Sequence, residues 1–294
     1  MAPVSEVRRF NRLVTQRVGA LDDRFLARDR SLGEARLLWE IGAEGGDLRS
    51  LRSRLALDSG YMSRLLRSLE GAGLVAVEPG EPDRRTRTAR LTARGRREWM
   101  ELDRRSDELA GSFLAPLNET QQQRLVAAMN EVERLLTAGM VEIAPVGPSH
   151  AHARHCISQY FAEIDRRFKA GFDPANSLPA GDVELRPPAG LMLVATLRSE
   201  PIGCGALKFH PRRPTEIKRM WVAAPARGLG VGRRLLAELE AAAAARGDRL
   251  VRLDTNAALT EAIGMYRSAG YTEVEPFNEE PYAHHWFEKR LPRA

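Results

Sequence analysis

Apolar positions in the first 140 residues recur at steps of three and four, the spacing of one face of an α-helix. A long first helix is predicted from about 7 to 25. The next follows Ser31, which stands three positions before Glu34 as in a capping box. Two short helices are then predicted over about 47–55 and 58–71. Their succession across a tight turn predicts a helix-turn-helix.

Two short strands are predicted next, at 74–77 and 86–91, on either side of a turn-forming segment, EPGEPDRR. Such a hairpin is typical of a wing beside a helix-turn-helix. Two more long amphipathic helices are predicted after it, and the second ends at Gly139.

Beyond Gly139 the pattern changes to strands interspersed with helices. A helix carrying Ile157 to Phe168 is predicted, and a strand ending at Val222 leads through a glycine-rich turn into a long alanine-rich helix. The predicted strands are 141–146, 191–197, 202–209, 216–222, 250–255 and 285–291. The fold class is therefore a mainly α domain with a wing over 1–139, followed by an α/β domain with a mixed sheet over 140–294.

The composition agrees with two domains and indicates the expected cellular compartment. A chain of 294 residues is too long for one domain of ordinary size. Its hydrophobic content of 43% is too high for a disordered chain. No uninterrupted apolar segment resembles a signal peptide or reaches about 18 residues, the length of a membrane span. Two cysteines suit a reducing compartment. We expect a soluble cytoplasmic protein without a membrane partner.

The positive charge is concentrated in one part of the chain. The net charge is +6, and residues 46–97 carry twelve arginines against six acidic residues. Residues 98–145, by contrast, carry four arginines against nine acidic residues. An arginine-rich helix-turn-helix with an arginine-rich hairpin tip predicts DNA binding, since guanidinium groups pair with phosphates and guanine edges.

The first domain resembles the MarR family of bacterial transcriptional regulators over about 5–138. The most specific segment is Asp83-Arg84-Arg85, followed at the family's spacing by Leu91-Thr92 and Gly95. The resemblance implies binding to double-stranded operator DNA as a homodimer joined through the terminal helices. It places Arg85 in the minor groove, where Asp83 would orient it. It does not decide whether Met62 faces the DNA groove or packs in the core. The implied DNA-binding residues are Ser59, Tyr61, Ser63, Arg64, Arg67, Asp83, Arg84, Arg85 and Arg87.

The glycine-rich turn of the second domain has the chemistry of an anion site. Glycines allow backbone N–H groups to approach an anion closely, and the start of a helix adds its dipole. The segment lacks the early G-x-G-x-x-G of a dinucleotide fold and the Lys-Ser or Lys-Thr pair of a P-loop.

Arg227-Gly228-Leu229-Gly230-Val231-Gly232 resembles instead the R/Q-x-x-G-x-G/A motif of the GNAT acetyltransferase superfamily. The strand ending in Trp221-Val222 and the segment from Glu261 to Tyr271 are similar to further motifs of that superfamily. The resemblance covers about 140–294 and implies acetyl-CoA as co-substrate. The implied binding residues are Trp221, Val222, Arg227, Gly228, Leu229, Gly230, Val231, Gly232, Arg233 and Tyr266.

Acetyl transfer also needs proton transfer and a donor for the developing oxyanion. The resemblance makes Tyr266 the acid for the CoA sulfur, and the backbone N–H of Val222 is the expected oxyanion donor. Glu216 stands six residues before Val222, so strand alternation predicts one shared face and a general-base role. Alternatively, Glu216 pairs with Lys218 or Arg219 of a neighbouring chain or loop.

No metal is expected, because His150, His152 and His155 lack the spacing of zinc sites and read as a polar helix start. Near the last strand, His284 and His285 lie beside Tyr282 and Trp286, and one residue of each adjacent pair is expected to face the acceptor, without the sequence deciding which. The predicted function is a transcriptional regulator that also acetylates a small amine or amino acid. The alternative is a regulator whose second domain senses an acyl-CoA or another ligand without catalysis.

Overall fold

A computed structural model describes residues 3–21, 25–80, 86–178 and 180–292. Within these ranges the helices, numbered along the chain, are α1 Pro3–Arg17, α2 Leu32–Ile41, α3 Leu48–Arg54, α4 Ser59–Gly71, α5 Ala93–Leu114, α6 Glu119–Gly139, α7 Ala151–Arg167, α8 Val231–Arg246 and α9 Thr260–Ser268. None of them is both long and apolar enough to cross a lipid bilayer.

The strands lie in two sheets. Their bounds are β1 Gly46–Asp47, β2 Val75–Pro79, β3 Arg87–Leu91, β4 Glu142–Pro145, β5 Gly190–Leu197, β6 Glu200–Lys208, β7 Thr215–Val222, β8 Leu250–Thr255, β9 Thr272–Val274 and β10 His285–Arg290. The small sheet has the order β1-β3-β2, and the large one the order β4-β5-β6-β7-β8-β10-β9.

The chain divides into two compact units, Met1–Ala128 and Met129–Ala294, so the division falls within α6. In the second unit, Arg234 of α8 donates to the carbonyl oxygens of Ala138 and Val141 at 2.9 and 2.8 Å. These bonds attach the last turn of α6 to α8. The predicted boundary between 139 and 140 stays a prediction.

The first unit is a helical domain with a wing. Its core joins α2, α3, α4 and the small sheet through residues such as Leu37, Leu38 and Leu69, which are fully buried. The capping box at the start of α2 is confirmed: Ser31 accepts from the N–H of Glu34, and the Glu34 carboxylate accepts from the N–H of Ser31 at 2.9 Å.

The first helix is shorter than predicted. It ends at Arg17, and Gly19 follows with a φ of 66°, a left-handed conformation that stops a helix. Phe25 lies in a separate 3-10 turn. No residue of α1 or α6 is buried, and Phe10 and Val14 are exposed on the apolar stripe of α1.

The second unit is built on the large mixed sheet. All its strand pairs are antiparallel except β7 with β8. One face of the sheet packs on α8 and α9 through Leu235, Leu239 and Ile263, and the other face packs on α7 through Cys156. Predicted strands lie within three residues of the observed ones, and β9, three residues long, was not predicted.

Candidate functional site

The central feature of the second unit is a gap in the sheet. Strands β7 and β8 pair only at their beginnings, where Thr215 lies opposite Val251 and Glu216 opposite Arg252. Beyond Glu216, no strand of the described ranges pairs with that side of β7. The second half of β7 therefore has an open edge, whose backbone groups are free to bind a ligand as a neighbouring strand would.

A bulge interrupts β7 in front of this edge. Lys218 lies opposite Ala206 and Trp221 opposite Cys204, so Arg219 and Met220 together occupy the place opposite one residue of β6. Arg219 has a φ of 58°, which is strained for a residue with a side chain. The extra residue reverses the alternation of side chains between the two faces.

The bulge makes the predicted shared face of Glu216 and Val222 wrong. Val222 packs against the core on the α8 face, whereas Lys218 lies opposite Ala206, which packs on the α7 face. Glu216, two residues before Lys218, lies on that α7 face. Its carboxylate is 3.1 Å from Lys218 Nζ and 3.1 Å from His210 Nε2, so Glu216 pairs with Lys218 of its own strand rather than of a neighbouring chain or loop.

The backbone of Val222 points into the gap. The N–H of Ala223 donates to Ile202, so the neighbouring pair Val222 and Gly203 is the non-hydrogen-bonded kind of antiparallel pair. The N–H and C=O of Val222 consequently point away from β6. The carbonyl oxygen accepts from Arg227 Nε at 3.2 Å, and the N–H is left at the open edge.

The glycine-rich turn after β7 offers several backbone donors. Gly228 and Gly230 have φ values of 85° and 76°, a left-handed conformation suited to glycine. Gly230 is the N-cap of α8 and has no side chain to accept from the first helical N–H groups. The first intrahelical bond is from Arg234 to Gly230, so the N–H groups of Val231, Gly232 and Arg233 have no partner among the described residues. A Cβ atom at either left-handed glycine would meet nothing within 4 Å, so the space before these donors is open.

A single carboxylate holds the turn to β7. Glu163 of α7 accepts from Arg227 at 2.6 Å and from the indole of Trp221 at 3.0 Å. Burial opposes the charged form, but these hydrogen bonds lower the pKa of Glu163. The predicted contacts of Trp221 and Arg227 with a ligand therefore involve side chains that are already held by Glu163, a residue that no sequence motif marked.

Tyr266 of α9 is buried beside the aromatic rings of Tyr271 and Phe287. Burial raises the pKa of Tyr266 well above the usual phenol value, so the hydroxyl keeps its proton at neutral pH. The residue lines a cavity at the gap between β7 and β8. Its hydroxyl has no hydrogen-bond partner within the described ranges.

The same cavity is lined by four charged side chains that sequence reasoning did not select: Lys218, Arg219, Asp254 and Glu280. Lys218 forms ion pairs with Asp254 and Glu216. Burial opposes the charge of Lys218, but these carboxylates raise its pKa. Three of the four come from β7 and β8, the strands that border the gap. The order of strands in the sheet brings them together, and no local sequence motif contains that order.

The segment before β10 contributes to the cavity through Tyr282 and Ala283. Which residue of each adjacent pair faces the acceptor stays a prediction. Neither His284 nor His285 lines the cavity, and His285 Nδ1 lies 2.6 Å from Glu273. His150 is the N-cap of α7, and no cluster among the described His, Cys, Asp and Glu residues could hold a metal ion.

In the first unit, α4 presents a polar face to solvent. Four predicted DNA-binding residues are exposed there: Ser59, Ser63, Arg64 and Arg67. Met62 is 4% exposed and belongs to the core, which decides the question left open for it. Tyr61 is half-buried and packs against the core, and the Arg64 guanidinium lies 5.5 Å from its ring centre. Arg87 is exposed at the start of β3. Asp83, Arg84 and Arg85 lie outside the described residues.

Comparisons with known proteins separate the same two parts. The family model described as "Acetyltransferase (GNAT) family" matches residues 158–271, and "Winged helix DNA-binding domain" matches residues 33–95. An IAA acetyltransferase of Azospirillum brasilense is 34% identical over 128 residues, which are 43% of this chain and 82% of that protein.

Two solved structures add to the comparison. A GNAT-family acetyltransferase of Staphylococcus aureus Mu50 is 15% identical with a TM-score of 0.46, covering 52% of this chain and 99% of that one. The PaiA N-acetyltransferase of Thermoplasma acidophilum, solved in complex with coenzyme A, is 21% identical with a TM-score of 0.32, covering 35% and 62%.

Proposed function

Because the chain belongs to the acetyltransferase (GNAT) family and carries a winged-helix DNA-binding domain, we propose that it is both a transcriptional regulator and an acetyl-CoA-dependent N-acetyltransferase of a small amine. The observation that carries the catalytic half is the uncapped start of α8 beside the open edge of β7. Donors for a pyrophosphate and for a thioester oxygen lie next to a cavity that contains a protonated tyrosine.

Acetyl-CoA, the acyl donor, would be held by backbone groups. We assign its pyrophosphate to the N–H groups of Val231, Gly232 and Arg233, where the helix dipole favours negative charge. Glu163 neutralises Arg227 and keeps the turn in place, so binding relies on these N–H groups more than on that guanidinium. Acetyl-CoA supplies a thioester, whose acetyl group passes to the amine.

Val222 and Tyr266 would assist the chemical step, by stabilising the charge on the acetyl oxygen and by protonating the sulfur. As the amine nitrogen bonds to the acetyl carbon and the C–S bond breaks, the Val222 N–H stabilises the negative charge on the acetyl oxygen. Tyr266 gives its proton to the departing sulfur, the proton that the amine nitrogen loses passes to solvent water, and Tyr266 regains a proton from water at the end of the cycle. Glu216 has no part in this proposal, since the shared face on which its role depended is absent.

The catalytic half is tested by turnover. Purified full-length protein should consume acetyl-CoA with members of an amine panel, and Tyr266→Phe should lower kcat by about 100-fold, within the usual range for loss of a general acid. The Kd for acetyl-CoA should stay within about twofold of the parent value, because ground-state contacts are retained.

Tyr271→Phe is the matched control. The Tyr271 side chain is buried beside the ring of Tyr266, but it does not line the cavity and its hydroxyl interacts with Glu240, so its removal should leave kcat unchanged. Tight acetyl-CoA binding without turnover on any amine would favour the alternative, a ligand-sensing domain. Equal losses in both variants would assign Tyr266 to packing.

We further propose that the first unit binds operator DNA as a MarR-like homodimer in the bacterial cytoplasm, within a domain that ends near residue 139. The exposed arginines of α4 and the unburied apolar stripes of α1 and α6 support this proposal. Two α4 helices related by a dimer axis would reach successive turns of the major groove. By the resemblance, Arg84 and Arg85 would also contact DNA, with Asp83 orienting Arg85.

Salt titrations test the DNA-binding half. Arg64→Ala or Arg67→Ala should weaken binding about tenfold, and loss of a phosphate contact should flatten the salt dependence by about one unit. Arg124→Ala on α6 removes the same charge from an exposed position and is the control. If no binding to duplex DNA were detected at any salt concentration, the proposal would be refuted. A monomer in sedimentation would refute the dimer.

A further inference from the structure

Arg219 brings a positive charge to the cavity that no described carboxylate neutralises. Its guanidinium stacks on Phe161, with 4.6 Å to the ring centre, and lies 5.8 Å from the ring centre of Tyr160. One nitrogen donates to the carbonyl oxygen of Ala180 at 3.5 Å, and Nε–H is buried without a partner in the described ranges. Stacking on rings orients the group and leaves its charge in place.

Glu280 brings a negative charge to the same cavity without a cationic partner among the described residues. It is 8% exposed, and its Oε2 accepts from the hydroxyl of Ser177 at 2.9 Å and the N–H of Leu178 at 2.8 Å. Among the described residues, Oε1 accepts one long bond, 3.4 Å, from the N–H of Tyr282. This oxygen retains capacity to accept from a bound amine.

The two groups are held near each other by one loop. Arg219 bonds to Ala180, and Glu280 bonds to Ser177 and Leu178, so both side chains are attached within four consecutive positions of the chain. They do not form an ion pair with each other. Lys218 and Asp254, the other charged residues lining the cavity, are already paired. An oppositely charged pair held apart in one cavity is suited to a ligand that carries both charges.

We infer that the acetyl acceptor is an amine that also carries a carboxylate, of the amino-acid class. Its carboxylate pairs with Arg219, and its amino group bonds to Glu280. The inference rests on the proposed function, since it names the substrate of that site. A bound ligand of this kind compensates two charges that are otherwise withdrawn from water without an oppositely charged partner. An amine without a carboxylate would leave Arg219 uncompensated.

The test compares each amino acid with its own carboxamide. The full-length protein is assayed with acetyl-CoA and a panel of amino acids, each beside the corresponding amide, which keeps the side chain and removes the acid charge. The parent protein should prefer the acid over the amide by at least about tenfold in kcat/KM, the usual loss for a charge-assisted hydrogen-bond pair. Equal kcat/KM values for acids and amides, with acetylation still occurring, would overturn the inference and leave the proposed function standing.

Variants assign the preference to Arg219. Arg219→Gln should reduce the acid-to-amide ratio to about one by raising the KM for the acid, and Arg219→Lys should restore part of it. Arg219→Gly suits the left-handed backbone at this position and guards against a loss caused by misfolding. Arg246→Gln removes another arginine stacked on a phenylalanine, outside the cavity, and should leave the ratio unchanged.

Two other outcomes are informative. If Arg219→Gln raised only the KM for acetyl-CoA, the residue would serve the acyl donor, and the inference would be wrong. If acetyl-CoA bound and no acid or amide were acetylated by the parent protein, the proposed function would fail together with the inference.

Discussion

Helices α4 and α8 begin in opposite ways. At the start of α4, Asp58 has an extended backbone, and its carboxylate accepts from the N–H of Tyr61 at 2.8 Å. At the start of α8, Gly230 has a left-handed backbone and no side chain to accept anything. Side-chain caps like that of α4 begin three further helices of the first unit: Ser31 in α2, Asp47 in α3 and Thr92 in α5.

The difference concerns where negative charge is accepted. The N–H groups at a helix start carry partial positive charge, and a capping carboxylate both occupies and neutralises them. A capped start is therefore closed to a phosphate, and an uncapped start is open to one. In this molecule the proposed DNA contacts of α4 come from arginine side chains, and the proposed CoA contacts of α8 come from the backbone.

Of the changes that test this difference between the two helices, a carboxylate placed at the start of α8 should have the largest effect, on the affinity for acetyl-CoA. Gly230→Asp should raise the Kd for acetyl-CoA by at least about 100-fold, or about 2.7 kcal/mol, because the added charge repels the pyrophosphate. Calorimetry on the purified variant measures the change.

Gly230→Asn is the matched control for that variant. Asparagine and aspartate both tolerate a left-handed backbone, and a Cβ at Gly230 has open space, so the two variants differ in charge alone. The asparagine variant should bind within about tenfold of the parent protein. Equal Kd values for both variants would show that charge at this helix start does not govern binding.

Removing the cap of α4 should have a smaller effect, on stability. Asp58→Ala leaves the Tyr61 N–H without its acceptor and should destabilise α4 by about 1 kcal/mol, while Asp58→Asn can still cap. Hydrogen exchange of the peptide spanning 58–71 should be about fivefold faster in the alanine variant. Unchanged exchange in Asp58→Ala would mean that the cap contributes nothing to the stability of α4.

Acidification should weaken the cap of α2 and leave the start of α8 unaffected. Burial opposes ionisation of Glu34, but hydrogen bonds from Ser68 and Ser31 lower its pKa from the usual value of a glutamate. A lowered folded-state pKa gives stability that is present above the unfolded value and is lost as pH falls through the folded one. The expected loss for this half-buried group is about 0.5 kcal/mol.

Glu34→Gln isolates that contribution, since glutamine can occupy the same place in a capping box without titrating. Urea unfolding at pH 6 and pH 4 should show a smaller loss of stability in the glutamine variant than in the parent protein. Identical pH dependence in both would exclude Glu34 as a source of it.

Helix starts were the most predictable part of the fold. Ser31 with Glu34, Asp58 and the glycines of the α8 turn lie within a few residues of the helices they begin, so local sequence contains the whole signal. The end of α1 was less predictable, because its apolar stripe continues past Arg17, where the helix stops.

The sequence by itself determined the local units of this protein: the capped helices, the hairpin, the glycine-rich turn and the family motifs that connect them. Each depends on contacts between residues that are close along the chain. The tertiary structure alone decided which face Glu216 occupies, because the bulge at Arg219 forms only when β7 pairs with β6. It also decided which charges meet in the cavity, since Arg219 and Glu280 are brought together by the sheet order and by a loop some forty residues before Arg219.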